Sequence, residues 1–221
     1  MLFRSNISID LIYGIPNQNI DTWQKNLNIA FSLPIKHLSA YCMTIEENTV
    51  FGKWKNAGKI KEVDEETELK MYEILMEKAQ ISLFEHYEIS NFCKPSYEYK
   101  HNSSYWFGEE YIGVGASAHS YNKVSRQWNF ANIQKDIDGI MKYKDFYETE
   151  QLSQRDLFNE YLLTRIRTSK GIDINFLKKN FANYYIKIEQ FVNEFISNKL
   201  LEKNGSKVIL TNQGKFLSDT I

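Results

Sequence analysis

Apolar residues along the chain recur with two different periods, and the alternation of those periods predicts the elements. Ile7, Ile9, Leu11, Ile12 and Tyr13 form a short β-branched and aromatic run that stops at Gly14 and Pro16. Such a run reads as a buried strand followed by a turn. Trp23, Leu27, Ala30 and Phe31 then recur at helical spacing as far as Pro34, with Asp21 as the expected N-cap. His37 to Thr44 reads as a second strand and Asn48 to Gly58 as a loop. Asp64 is placed to cap a long amphipathic helix that carries Leu69, Tyr72, Leu75, Met76 and Ala79 on one face. A short strand is expected at Tyr87 to Ser90. Strands alternating with helices predict an α/β fold whose parallel sheet is joined by crossovers.

Between Phe92 and Trp128 the pattern changes to a stretch dense in Tyr, Trp, Gly, Ser and Asn, with Tyr111 to Val114 as its one apolar strand candidate. Segments of this kind often carry function on a rigid scaffold. From about Asp136 the helical period returns. Leu157, Tyr161, Leu162, Thr164 and Arg165 share one helix, Ile174 to Phe181 a second and Ile188 to Phe195 a third. Lys207 to Leu210 reads as a strand and Gln213 to Ile221 as a last helix. Three helices and a small β-wing predict a winged-helix-like module.

The composition, 43% hydrophobic and 14% aromatic with few Pro and Gly, supplies ample side-chain area for a core and excludes a disordered chain. Net charge is -1, which argues against a general polyanion binder. The balance is uneven, net -5 over 1–150 and +4 over 151–221, and supports two domains. In the basic part, Phe176 to Lys187 carries Lys178, Lys179 and Lys187 among many apolar residues, as a docked helix does, so no nucleic-acid partner is expected. Cys42 and Cys93 stand about 50 positions apart, which is neither a disulfide framework nor a metal-ligand spacing, and fits a reducing compartment. No stretch has the length of a signal peptide or a membrane span, so a cytoplasmic protein without an integral membrane segment is expected. Monomer and homodimer both stay open.

Three segments carry candidate chemistry. Asp10 is an acid inside an apolar strand; it either satisfies backbone donors or points from the strand end toward a ligand. His101, with Asn102, Tyr105 and Trp106 around it, offers an imidazole that can ligate a metal such as heme iron and aromatic rings that can stack on a flat macrocycle; packing or capping is the alternative. The block Gly113 to Ser120 lacks the third glycine of a dinucleotide fingerprint and the Lys-Ser/Thr ending of a P-loop, so a tight turn with close backbone approach is expected. Ser117 and His119 lack an evident third partner for triad chemistry.

Read in order, Ile9-Asp10-Leu11-Ile12-Tyr13-Gly14-Ile15-Pro16, Leu38-Ser39-Ala40-Tyr41, Thr44-Ile45-Glu46, Tyr87-Glu88-Ile89-Ser90-Asn91-Phe92, His101-Asn102-Ser103-Ser104-Tyr105-Trp106 and Gly113-Val114-Gly115-Ala116-Ser117-Ala118-His119-Ser120 resemble the HemW-type heme chaperones. These form a branch of the oxygen-independent coproporphyrinogen III oxidase-like radical S-adenosylmethionine proteins. The resemblance runs on to Leu210-Thr211-Asn212-Gln213-Gly214-Lys215-Phe216-Leu217, which is similar to that family's C-terminal domain.

The resemblance implies a partial TIM-type (β/α) barrel with parallel strands over 1–130 and a small helical, winged-helix-like C-terminal domain over 131–221. It implies a heme chaperone that binds heme for delivery to a heme-accepting protein; the alternative is a coproporphyrinogen oxidase-like oxidative decarboxylase of porphyrin biosynthesis. In the family, S-adenosylmethionine and a [4Fe-4S] cluster sit at the strand ends. Asp10 falls where the enzyme branch has a strand-end Asp contacting S-adenosylmethionine, and Ile12 and Thr44 would line the same site. His101, Asn102, Tyr105 and Trp106 match the motif associated with heme, His101 as the candidate iron ligand. The family's Cys-x-x-x-Cys-x-x-Cys motif lies upstream of the Asp10 strand, and neither Cys42 nor Cys93 matches it. This chain starts nine residues before Asp10, so the expectation is a truncated barrel without its N-terminal strands or cluster ligands, inactive as an enzyme alone.

Overall fold

A computed structural model describes residues 6–142, 144–218 and 221. The described residues fall into two compact units. One runs to Tyr99 and takes in 212–218; the other is Lys100–Thr211.

The first unit begins with β1 (Ser8–Tyr13), α1 (Ile20–Ser32) and β2 (His37–Cys42), which pair β1 with β2 in parallel, Ser8 opposite His37 and Tyr13 opposite Cys42. A parallel pair needs a crossover, and α1 supplies it. The cap of α1 is Asn19, whose side chain accepts the Thr22 N–H at 2.9 Å, and not Asp21. Asp21 lies in the first turn, where a carboxylate complements the exposed N–H groups and the helix dipole. Val50–Asn56, expected as a loop, forms a short helix, α2, capped by Thr49. The long helix α3 (Glu65–Ile81) starts at Asp64, whose carboxylate accepts the Thr67 N–H at 2.9 Å, as the sequence predicts.

After α3 come β3 (Glu85–Glu88) and β4 (Asn91–Cys93), and the sheet order is β1-β2-β4-β3. The expected all-parallel sheet is therefore corrected to a mixed one. Ile89 and Ser90 alone join β3 to β4, too few residues for a crossover, so the two strands form an antiparallel hairpin and β4 pairs antiparallel with β2. One face of the sheet packs on α1 and α3 around Trp23, Leu27, Leu38, Met71, Leu75 and Phe92, all fully buried. Each such aliphatic or aromatic side chain contributes roughly 1.5–3 kcal/mol on burial. Trp23 also donates its indole N–H to the Met71 carbonyl at 2.8 Å.

The second unit opens with α4 (Lys100–Trp106), β5 (His119–Tyr121) and β6 (Ser125–Asn129). Asn122 closes the β5–β6 hairpin by accepting the N–H groups of Val124 and Ser125 at 3.1 and 2.7 Å. Next are α5 (Ile133–Lys142), β7 (Tyr147–Gln151) and α6 (Gln154–Ile166), and β5, β6 and β7 form an antiparallel sheet. The expected strand at Tyr111 to Val114 reduces to one bridge between Tyr111 and Tyr121. Ile112 and Val114 are 87% and 90% exposed, so no burial holds the rest in a ladder. A side chain at Gly113 would lie 2.2 Å from the His119 carbonyl oxygen, which makes the block a close backbone approach.

The chain continues through β8 (Ile172–Asp173), α7 (Ile174–Asn180), α8 (Ala182–Ser197), β9 (Leu201–Asn204) and β10 (Lys207–Leu210), with sheet order β8-β10-β9. Phe158, Leu177 and Tyr185 form its core with Ile172. The segment Phe176 to Lys187 is not one helix: the backbone breaks at Phe181, between α7 and α8. Helix α9 (Asn212–Phe216) then belongs to the first unit, where Phe216 packs near Tyr72. Of the helix expected at Gln213 to Ile221, residues 219 and 220 lie outside the described ones. Among the described residues no helix is long and apolar enough to cross a membrane.

Candidate functional site

Strand alternation gives the first unit a polar sheet face opposite the helices. Ser8, Asp10 and Ile12 point to it from β1, and their partners His37, Ser39 and Tyr41 from β2. Asp10 and Ile12 are exposed, as is Thr44 just beyond β2. The Asp10 carboxylate makes no hydrogen bond or ion pair among the described residues, so it does not serve the neighbouring backbone donors. His37 was not singled out by the sequence, yet it organises this face. Its Nδ1 lies 2.8 Å from the Ser8 hydroxyl and its Nε2 2.8 Å from the Tyr87 hydroxyl, which also accepts the Tyr99 N–H at 3.3 Å. Burial lowers the His37 pKa, and the Asp10 carboxylate only partly opposes that. A neutral ring with both nitrogens engaged pins β1, β2 and β3 together.

The cysteines have no cluster-forming company. Cys42 hydrogen-bonds with Glu68 and Tyr13, and burial pushes its thiol up to about 11; Cys93 is buried and pushed up to about 12 by the same cause. Among the described residues no group of three or more His, Cys, Asp or Glu side chains could hold a metal ion.

The second unit carries the other predicted residues on α4. Its sequence, Lys-His-Asn-Ser-Ser-Tyr-Trp, puts His101 and Tyr105 one turn apart on one face. The Tyr105 hydroxyl lies 3.4 Å from His101 Nε2, with the rings edge-on at 5.1 Å. Tyr105 meets Tyr111 at 4.9 Å in a second edge-on contact, and both His101 and Tyr105 are exposed. Asn102 sits about 100° around the helix from His101, on a different face. Trp106 is partly buried, its indole N–H has no hydrogen-bond partner among the described residues, and the Arg167 guanidinium stands 5.1 Å from its ring.

Tyr105 and Trp106 line a cavity of about 640 Å³, together with Phe107 and, from α6 and α7, Tyr161 and Phe176. Tyr161 and Phe176 stack at 4.6 Å. Arg126 and Arg165 also line it. His101 and Asn102 are not among the lining residues. Ser117 takes a left-handed backbone, φ 63°, in the turn before β5, and no hydrogen bond joins it to His119, so no nucleophile–base pair forms there.

No family model matches the chain. It is 33% identical over 222 residues to the heme chaperone HemW of Bacillus subtilis (strain 168), an alignment that covers 98% of this chain and 58% of that protein. It is 30% identical over 218 residues to the heme chaperone HemW of Lactococcus lactis subsp. lactis (strain IL1403), covering 98% and 57%. The chain thus spans less than two thirds of the length of these curated relatives. Its fold is similar to that of coproporphyrinogen III oxidase (HemN) from Escherichia coli, described as a radical SAM enzyme, with a TM-score of 0.73 at 16% identity over 95% of this chain and 52% of that one.

Proposed function

We propose that this chain, a relative of the HemW heme chaperones over 98% of its length, binds heme and passes it to acceptor proteins. The observation that carries the reading is helix α4. It presents an exposed imidazole at His101, one turn from Tyr105, while Tyr105 and Trp106 turn aromatic surface to a cavity of about 640 Å³. An accessible imidazole nitrogen can ligate heme iron, and rings of this kind stack on a flat macrocycle. In this reading His101 is the iron ligand, and Asn102, Tyr105 and Trp106 shape its surroundings.

The finer architecture belongs to the same reading. The parallel β1–β2 pair with its α1 crossover supports a portion of a TIM-type barrel within 1–130. The β8-β10-β9 sheet, whose first strand lies between α6 and α7 and whose other two follow α8, supports a winged-helix-like domain within 131–221. Asp10, Ile12 and Thr44, all exposed on or just past the parallel pair, fit the wall of an S-adenosylmethionine site, Asp10 offering an acceptor-only carboxylate. The described residues do not fit a [4Fe-4S] cluster, so no radical step is assigned to them. A cytoplasmic heme-accepting protein is the proposed partner.

Titration of the reduced chain with heme, followed by Soret absorption and then by transfer to a heme-free globin, tests the function. Saturable binding at one heme per chain and transfer to the globin are expected. A folded sample that shows only non-saturable uptake would overturn the reading.

A further inference from the structure

The cavity beside α4 has a chemical character that the motif at 101–106 does not explain. Its volume, about 640 Å³, lies within the size range of small-molecule sites. Aromatic rings make its broad surfaces, and charge gathers at its lining: Lys123, Arg126, Arg165, Lys170 and Lys207 against Glu109, Glu160 and Asp173. Two of those three carboxylates are already engaged. Glu160 pairs with Arg126, and Asp173 caps α7 by accepting the N–H groups of Asn175 and Phe176. The lining, with five cations against three carboxylates, is therefore net positive.

Arg165 is the most telling of these cations. It stands 4.5 Å from the Phe107 ring and 5.6 Å from the Tyr161 ring, and it donates to the Phe107 carbonyl at 3.2 Å. A guanidinium has five N–H donors, and this one forms no ion pair among the described residues. Its pKa is lowered, and burial is the leading cause. The buried Trp106 indole N–H, which has no hydrogen-bond partner among the described residues, belongs to a residue that lines the same cavity. A buried donor without an acceptor costs stability, and a carboxylate ligand could satisfy the Trp106 N–H and pair with the Arg165 charge.

We infer that this cavity holds heme by its propionates, with Arg165 as the central carboxylate-binding residue and the Tyr105, Trp106 and Phe107 side chains against the macrocycle. The inference rests on the heme-binding reading and adds to it an anion site that is independent of iron ligation. Arg165, Lys123 and Lys207 act on the propionates, whereas His101 acts on the metal.

Metal-free protoporphyrin IX separates the two, because it keeps the propionates and lacks iron; heme dimethyl ester does the reverse. Affinities of the whole chain for heme and both probes would be measured by absorption and fluorescence titration in the native protein, Arg165→Gln, and a Lys123→Gln/Lys207→Gln double variant at exposed positions. Charge-assisted bonds of this kind predict about a tenfold loss of protoporphyrin IX and heme affinity in Arg165→Gln, a smaller loss in the double variant, and weak ester binding everywhere. His101→Ala should lower heme affinity more than protoporphyrin IX affinity. Equal affinities for heme and its dimethyl ester, unaltered in both cation variants, would overturn the propionate site while leaving heme binding through His101 intact. Protoporphyrin IX binding that depends on Arg165, in a chain whose heme spectrum ignores His101, would support the cavity and sink the iron-ligand assignment instead. A folded chain that binds none of the three would overturn both.

Discussion

Two histidines of this chain each stand beside a tyrosine hydroxyl, and they differ in burial and in how tightly that hydroxyl is held. His37 is buried on the sheet of the first unit, with Ser8 and Tyr87 both at 2.8 Å from its ring nitrogens. His101 is exposed on a seven-residue helix, and its tyrosine contact is a long 3.4 Å. A ring whose two nitrogens are engaged inside the protein is a structural pin, whereas an exposed ring on a short helix is the one proposed to meet heme iron. Proximity of His and Tyr is thus uninformative until burial and bond length are known.

Substitution sharpens the contrast most strongly at the buried ring. His37→Ala removes a packed side chain and strands the hydrogen-bonding capacity of Tyr87, and should cost about 2–4 kcal/mol in urea unfolding. A loss below 1 kcal/mol would show that the network does not hold the strands.

A second, partly buried histidine gives the next largest effect. His86 stacks on Phe92 at 4.1 Å, its Nε2 lies 3.0 Å from the Ile89 carbonyl oxygen and its Nδ1 3.3 Å from the Lys215 ammonium. Burial, with help from Lys215, brings its pKa down to about 3. The unfolded chain, with an ordinary value near 6.5, binds the proton first as pH falls. The stability linked to the neutral ring is complete above about pH 6.5 and is lost progressively from there toward pH 3, by up to about 1.4 kcal/mol per pH unit. Unfolding free energies between pH 7 and 5 should show this slope, and His86→Gln should flatten it. A slope unchanged in that variant would refute the assignment.

The smallest effect on stability belongs to the exposed ring. His101→Ala should change the unfolding free energy by no more than about 0.5 kcal/mol, as surface substitutions usually do. A cost comparable to that of His37→Ala would make His101 structural and erase the distinction.

What the sequence revealed follows the range of the interactions involved. Helix α3, its Asp64 cap and strand β10 are legible because their signals are local: an acid one residue before a periodic apolar face, and a short run of the form Lys-Val-Ile-Leu. Helix α4 was not predicted, since seven residues with two serines and no apolar period give no helical signal. The β3–β4 hairpin escaped because its bulge between His86 and Glu88 breaks the period-2 pattern. His37 was invisible as an organising residue because its partners lie 29 and 50 positions away. The candidate site divides in the same way. The block from His101 to Trp106 could be read from the sequence, whereas Arg126 and Arg165 come to the cavity from segments without a motif.

The central proposal is that the exposed ring, and not the buried one, takes the iron of heme. Its most direct test is a reduced-heme titration of the native chain beside folded His101→Ala, read in the Soret region. The account predicts a saturable spectrum in the native chain and loss of its ligand-field signature in the variant. The same Soret position and affinity in both proteins would contradict it.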